Sequence, residues 1–126
     1  MTLRLLDDPG ARQTALRVGY RATDWNERPD YGAYTEALSA WSVRLLADKK
    51  EPVGAVYTLG SEFHVSVLPE WRGRWATRGL LKKIIPEPEA VTRVTPGHEH
   101  VGGLLERLGF EAQGDGIYTK GAQDGN

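Results

Sequence analysis

The sequence predicts a mixed α/β sandwich with the element order β-α-α-β-β-β-α-β-α-β-β. Three observations lead to it. Three β-rich stretches follow one another between residues 42 and 67 with very short links, the pattern of an antiparallel meander. Four other stretches carry apolar residues at helical spacing. A glycine turn, Gly114-Asp115-Gly116, joins the last two extended segments as a hairpin.

In chain order, LRLL reads as a short strand that Asp7, Asp8, Pro9 and Gly10 end. From Ala11 to about Asp24, Ala15, Val18, Gly19 and Ala22 line one helical face. NERPD is a loop. Asp30 caps a second helix in which Tyr34, Ala37, Leu38 and Trp41 keep the helical period. SVRLLADK and VGAVYTL pair across the turn KKEP, and EFHVSV follows the tight Gly60–Ser61 turn. Leu80, Leu81, Ile84 and Ile85 form the stripe of a third helix, which Pro86 and Pro88 terminate. AVTRVT is a further strand. In HEHVGGLLERLG, Val101, Leu104, Leu105 and Leu108 recur at i, i+3, i+4 and i+7, with Gly109 as the C-terminal cap. FEAQ and IYTK are the arms of the closing hairpin.

Length and composition limit the function classes. With 126 residues, one domain over residues 1–120 and a flexible tail at 121–126 are expected. A formal net charge of −1 argues against a general nucleic-acid binder, which would carry a basic excess. The absence of cysteine excludes disulfides, thiolate metal sites and a cysteine nucleophile, and it suits a reducing cytoplasm. No apolar run reaches membrane-spanning length and MTLRLLDDPG has no signal-peptide pattern, so no membrane partner is expected.

Against that balance, WRGRWATRGLLKK at residues 71–83 is unusual. Arg72, Arg74, Arg78, Lys82 and Lys83 gather there without an acid, at a strand-to-helix junction. A helix start presents unpaired N–H groups and the positive end of the peptide dipole, and arginines beside it suit a phosphate. A solvated helix face is the plainer explanation of such a run.

The string VLPEWRGRWATRGLL resembles the acetyl-CoA loop of the GNAT N-acetyltransferase superfamily. That pattern is a strand ending V-x-P-E-aromatic, then R/Q-x-x-G-x-G/A, then a helix opening with apolar pairs. Val67, Pro69, Glu70, Trp71, Arg72, Gly73, Leu80 and Leu81 fit it in register. TPGHEHVGGLLERLGFE is similar to the family's fourth-helix segment with its L-G-F ending at Leu108, Gly109 and Phe110. The likeness runs from about Ser42 to Lys120. It implies a mostly antiparallel central sheet flanked by about four helices, with the fourth and fifth strands splayed. It also implies acetyl-CoA as co-substrate without a metal, and an amine acceptor, either a small molecule or a protein. The cofactor would be held by Val65, Ser66 and Val67 along the strand and by Arg72, Gly73, Arg74, Trp75, Ala76, Thr77 and Arg78 in the loop. His98 falls where the family often has an asparagine on the pantetheine arm. The two loop glycines of the pattern are Trp75 and Thr77 here. Trp75 either packs away, covers the adenine or blocks the site, whereas the Thr77 hydroxyl could donate to a phosphate. R-G-R-W loops also resemble those of small acetyltransferase-like proteins of tailed phages, which implies a phage protein acting in the host cytoplasm.

Acetyl transfer to an amine needs a proton acceptor for the ammonium, donors to the thioester oxygen and a proton for the leaving thiolate. Strand alternation puts Glu62, His64 and Ser66 on one face of EFHVSV. His64 is the leading base because imidazoles titrate near neutrality, with Glu62 as the alternative. The family's usual base position falls at Ser61, one residue from Glu62. A bulge would restore the register, and without it Glu62 and His64 both face away from the amine. The tyrosine that serves as acid in the family is Leu105 here, and Tyr118 is its substitute on the last strand. GHEH is not read as a metal site: no cysteine or third ligand accompanies its two histidines. Two other readings stay open, a catalytically weak GNAT-fold module that binds coenzyme A or a protein, and a phage enzyme acting on a nucleobase amine. The quaternary state, monomer or homodimer, is open as well.

Overall fold

The computed structural model describes residues 3–23, 25, 27–94 and 99–121. Its elements are β1 (Leu3–Leu6), α1 (Pro9–Ala22), α2 (Tyr31–Ala37), β2 (Ser42–Asp48), β3 (Glu51–Leu59), β4 (Glu62–Val67), α3 (Arg78–Ile84), β5 (Ala90–Arg93), α4 (Glu99–Arg107), β6 (Glu111–Gly114) and β7 (Ile117–Lys120). A 3₁₀ turn at Pro69–Trp71 follows β4. The element order is the expected one. The strands form one seven-stranded sheet in the order β1-β2-β3-β4-β5-β7-β6. β1/β2, β2/β3, β5/β7 and β6/β7 are antiparallel, and β4/β5 is parallel. The β4/β5 pairing sets Glu62 opposite Val91 at the start of β4, which is compatible with strands that diverge beyond it. No helix among the described residues is long and apolar enough to cross a membrane.

The chain divides into two compact units, Met1–Leu59 with Val65–Arg72, and Gly60–His64 with Gly73–Asn126. The first holds β1 to β3, α1, α2 and the second half of β4. Asp8 accepts from Ala11 N–H and Pro9 occupies the first turn, so α1 starts earlier than the apolar period suggests. The predicted face, Ala15, Val18, Gly19 and Ala22, is buried. Ala15 and Val18 pack in a core with Val43, Leu45, Ala47, Ala55 and Tyr57 from β2 and β3. Gly19 is needed by close approach: a Cβ there would run into the Tyr57 hydroxyl and Ala55. Burying such a layer of apolar side chains is the main stabilisation available to a unit this small.

The second helix departs from expectation. α2 stops at Ala37, and Trp41 lies beyond it in a turn. The reason is a competing donor: the Arg12 guanidinium takes the carbonyls of Trp41 (2.7 Å) and Leu38 (3.1 Å), so the chain can leave the helix without stranding them. Trp41 still packs against the apolar core, as its spacing implied. The β2–β3 turn is tighter than KKEP, because Lys49 adopts a left-handed φ of 57° and β3 already begins at Glu51.

In the second unit, Val91 N–H donates to Ser61 O (2.8 Å) and Thr92 Oγ1 to Phe63 O (2.6 Å), seating β5 beside the start of β4. Phe63 meets Phe110 edge-on at 6.2 Å. Leu80, Leu81, Ile84 and Ile85 are buried as predicted. β6 and β7 turn through Asp115 and Gly116, both at positive φ, the mirror-image turn favoured by twisted hairpins.

Candidate functional site

On β4, Phe63 and Val67 are buried, and the alternate residues carry the polar groups. His64 Nε2 lies 2.5 Å from Glu62 Oε2, with the two side chains 38% and 47% exposed. The pair follows from strand alternation, which sets residues two apart on one face. A carboxylate at one imidazole nitrogen fixes the ring orientation, which a general base and its orienting partner would need.

Farther along, the Ser66 side chain ends a line of hydroxyls that the sequence does not announce. Tyr34 Oη donates to Leu16 O (2.9 Å) and shares a 2.8 Å hydrogen bond with Tyr57 Oη. The Tyr57 hydroxyl also bonds with Ser66. Ser66 Oγ lies 3.1 Å from Thr23 Oγ1, which donates to Gly19 O (2.8 Å). Burial, which disfavours a phenolate, is the first cause that raises the pKa of both tyrosines. These four hydroxyls come from α2, β3, β4 and the end of α1, so no local sequence signal links them. They pin the second half of β4. Leu68 N–H donating to Val53 O (2.9 Å) and the glycine at Gly54, where a Cβ would strike the Ser66 carbonyl, hold that segment close to β3. Ser66 thus has a side-chain role besides the backbone one expected of Val65, Ser66 and Val67.

The basic loop resolves into residues with different surroundings. Arg72 Nη2 donates to Ala22 O (2.7 Å) at the end of α1. Gly73 has φ 86°, a conformation that β-branched or bulky residues avoid, although a Cβ would meet nothing there. Arg74 and Arg78 are exposed, and Ala76 is partly buried. Thr77 is the N-cap of α3: its Oγ1 accepts from Leu80 N–H (3.2 Å), leaving the hydroxyl proton to donate elsewhere. Trp75 is buried at 5% exposure, and its indole N–H has no hydrogen-bond partner among the described residues. Trp75 is packed among the core residues. That leaves a buried donor unsatisfied, a cost of roughly 1–3 kcal/mol.

His98 lies outside the described residues. His100 is exposed on α4. No group of three or more metal-ligating side chains occurs among the described residues. Leu105 is fully buried. Tyr118 on β7 reaches α4 from the side: a Cβ on Gly102 would strike its hydroxyl. Tyr118 Oη therefore abuts the helix one turn before Leu105, a placement that the glycine alone could not have signalled.

No protein-family model and no curated protein matches the sequence. Solved structures do match the fold. A GNAT superfamily phosphinothricin acetyltransferase from Sinorhizobium meliloti, in complex with acetyl-CoA, superposes with a TM-score of 0.70 at 18% identity over 95% of this chain and 88% of its own. Mutant forms of the spermidine/spermine N-acetyltransferase SpeG from Vibrio cholerae give 0.57 at 19% identity over 90% and 81%. The PaiA N-acetyltransferase from Thermoplasma acidophilum, in complex with coenzyme A, gives 0.56 at 13% identity over 97% and 100%. The fold is that of the GNAT superfamily.

Proposed function

We propose that this GNAT-fold chain is an acyl-CoA-dependent N-acyltransferase that moves the acetyl group of acetyl-CoA to a primary amine. The observation that carries the reading is a GNAT fold, shared with acetyl-CoA- and CoA-bound enzymes, whose β4–α3 connection has the cation-rich sequence such a cofactor needs. Arg74 and Arg78 would make charge-assisted bonds to the diphosphate, with Thr77 donating its hydroxyl proton. Arg72 would contribute only as far as its bond to Ala22 allows. The backbone of Val65 to Val67 would pair with the pantetheine amides as an added strand does, and an N–H there would hold the thioester oxygen.

In the reaction, His64 takes a proton from the ammonium of the acceptor, directly or through water. The amine nitrogen attacks the thioester carbon, forming the C–N bond and a tetrahedral oxyanion. Collapse breaks the C–S bond, Tyr118 protonates the departing thiolate, and the second proton lost by the nitrogen returns to the Tyr118 phenolate through water. The products are the amide and coenzyme A. Without cysteine, direct attack is favoured over a thiol-linked acyl-enzyme.

The test is thermal stability. Acetyl-CoA at a hundred times its Kd should stabilise the protein by about 2.7 kcal/mol. No shift with acetyl-CoA, coenzyme A or longer acyl-CoAs overturns the reading. A binding module without turnover is the second reading, supported by Leu105 at the usual position of the acid and by buried Trp75. A normal coenzyme A shift with no thiol released across a broad amine panel would favour it.

A further inference from the structure

On the first unit, the outer face of α1 opens into a pocket of about 490 Å³ lined by Arg17, Arg21, Tyr20, Tyr31 and Pro52, with Thr14 and Val18. Arg17 and Arg21 are one helical turn apart, so their guanidinium groups project from the same face. Among the described residues neither has an ion-pair or hydrogen-bond partner. The apolar side of the pocket is built, not incidental. Tyr20 packs edge-on against Tyr31 at 5.2 Å, its hydroxyl donates to Pro29 O (2.5 Å), and Trp25 Nε1 donates to Tyr20 O (2.9 Å). A third guanidinium, that of Arg28, lies 5.1 Å from the centre of the Tyr20 ring. Tyr31 is 38% exposed, large for a tyrosine that packs on other rings.

Two lining residues adjoin, along the chain, groups that hold the segment after β4. Pro52 precedes Val53, which holds Leu68, and Arg21 precedes Ala22, which holds Arg72. Two guanidinium groups with no ion-pair partner among the described residues, set beside aromatic rings, match a ligand with an oxyanion at one end and an apolar body next to it. They would repel a polycation.

We propose that this pocket binds a carboxylate or phosphate group carried on an apolar, aromatic-sized body. In the acyl-transfer reading, on which this role rests, that oxyanion is the tail of the acceptor amine, which is then amino-acid-like and not a polyamine. The binding test titrates ¹⁵N-labelled protein at low salt with phenyl phosphate, with benzoate and with phenethylamine as the cationic control. Either oxyanion should shift the amide signals of Arg17, Arg21 and Tyr31 saturably, and phenethylamine should not. The double substitution Arg17→Gln/Arg21→Gln, on an exposed face, should weaken binding about tenfold or more, as should added salt. Absent saturation, unchanged affinity in the double variant, or displacement of phenyl phosphate by coenzyme A would overturn the assignment, the last by giving the pocket to the cofactor. Turnover then separates the two readings. With acetyl-CoA, phenylalanine should exceed phenethylamine about tenfold in kcat/KM, and the double variant should erase the difference through KM. Equal use of both amines overturns the acceptor role while leaving acyl transfer intact. Oxyanion binding with no amine acetylated overturns acyl transfer and leaves the pocket standing.

Discussion

A short hydrogen bond between Glu62 and His64 fixes the direction of the imidazole ring, which a proton acceptor would need. If His64 is the base, His64→Gln should preserve shape and hydrogen bonding while lowering kcat roughly a hundredfold, with coenzyme A affinity nearly unchanged. The parent's kcat/KM should show a pH limb that the variant lacks. Glu62→Gln keeps the limb in this scheme and loses only part of the rate. Parental rates and profiles in both variants would pass the proton to water or to the substrate. Strand alternation made this pair legible in the sequence. It could not reveal that the two side chains are joined, since adjacent same-face residues turn toward or away from each other according to packing.

At the scale of elements, one basic run has split into parts with different duties. Arg72 caps the carbonyl end of α1 through Ala22, whereas Arg74 and Arg78 stay exposed around a glycine turn and a threonine-capped helix. Arg72→Ala should therefore destabilise the protein by about 0.5–1.5 kcal/mol, or more if the carbonyl is left unsatisfied, as measured by urea unfolding. Arg74→Ala should leave that midpoint unchanged and weaken coenzyme A about tenfold by calorimetry. If Arg72→Ala is as stable as the parent, the bond to Ala22 contributes nothing. If Arg74→Ala binds as tightly, the run is only a solvated face. The start of α2 was readable because Asp30 is a capping residue, whereas the caps of α1 and α3, Asp8 and Thr77, emerge only in the fold. The end of α2 was not, since Arg12 decides it from 26 residues away in the chain.

For the molecule as a whole, the buried hydroxyls predict a pH limit on stability. Tyr34 and Tyr57 have raised pKa values in the folded state, chiefly from burial, whereas in the unfolded chain they titrate near about 10. Above that pH the unfolded chain loses protons that the folded one keeps, so stability present below about pH 10 declines as pH rises beyond it. Melting temperature should hold up to about pH 9.5 and fall above it, and Tyr57→Phe should flatten the fall. An unchanged slope in that variant would put the limit elsewhere. The sequence by itself determined the element order, the Asp30 cap and the buried stripes, because those depend on residue type and on spacing within a dozen positions. It also carried the likeness of its β4–α3 segment to a cofactor loop. Tertiary structure alone decided the rest: the burial of Trp75, the capture of Arg72 by α1, the hydroxyl line through Ser66, the approach of Tyr118 to α4, and the Arg17–Arg21 pocket. Each joins residues from separate elements, and such contacts are set by how strands and helices pack, for which a linear spacing holds no signal.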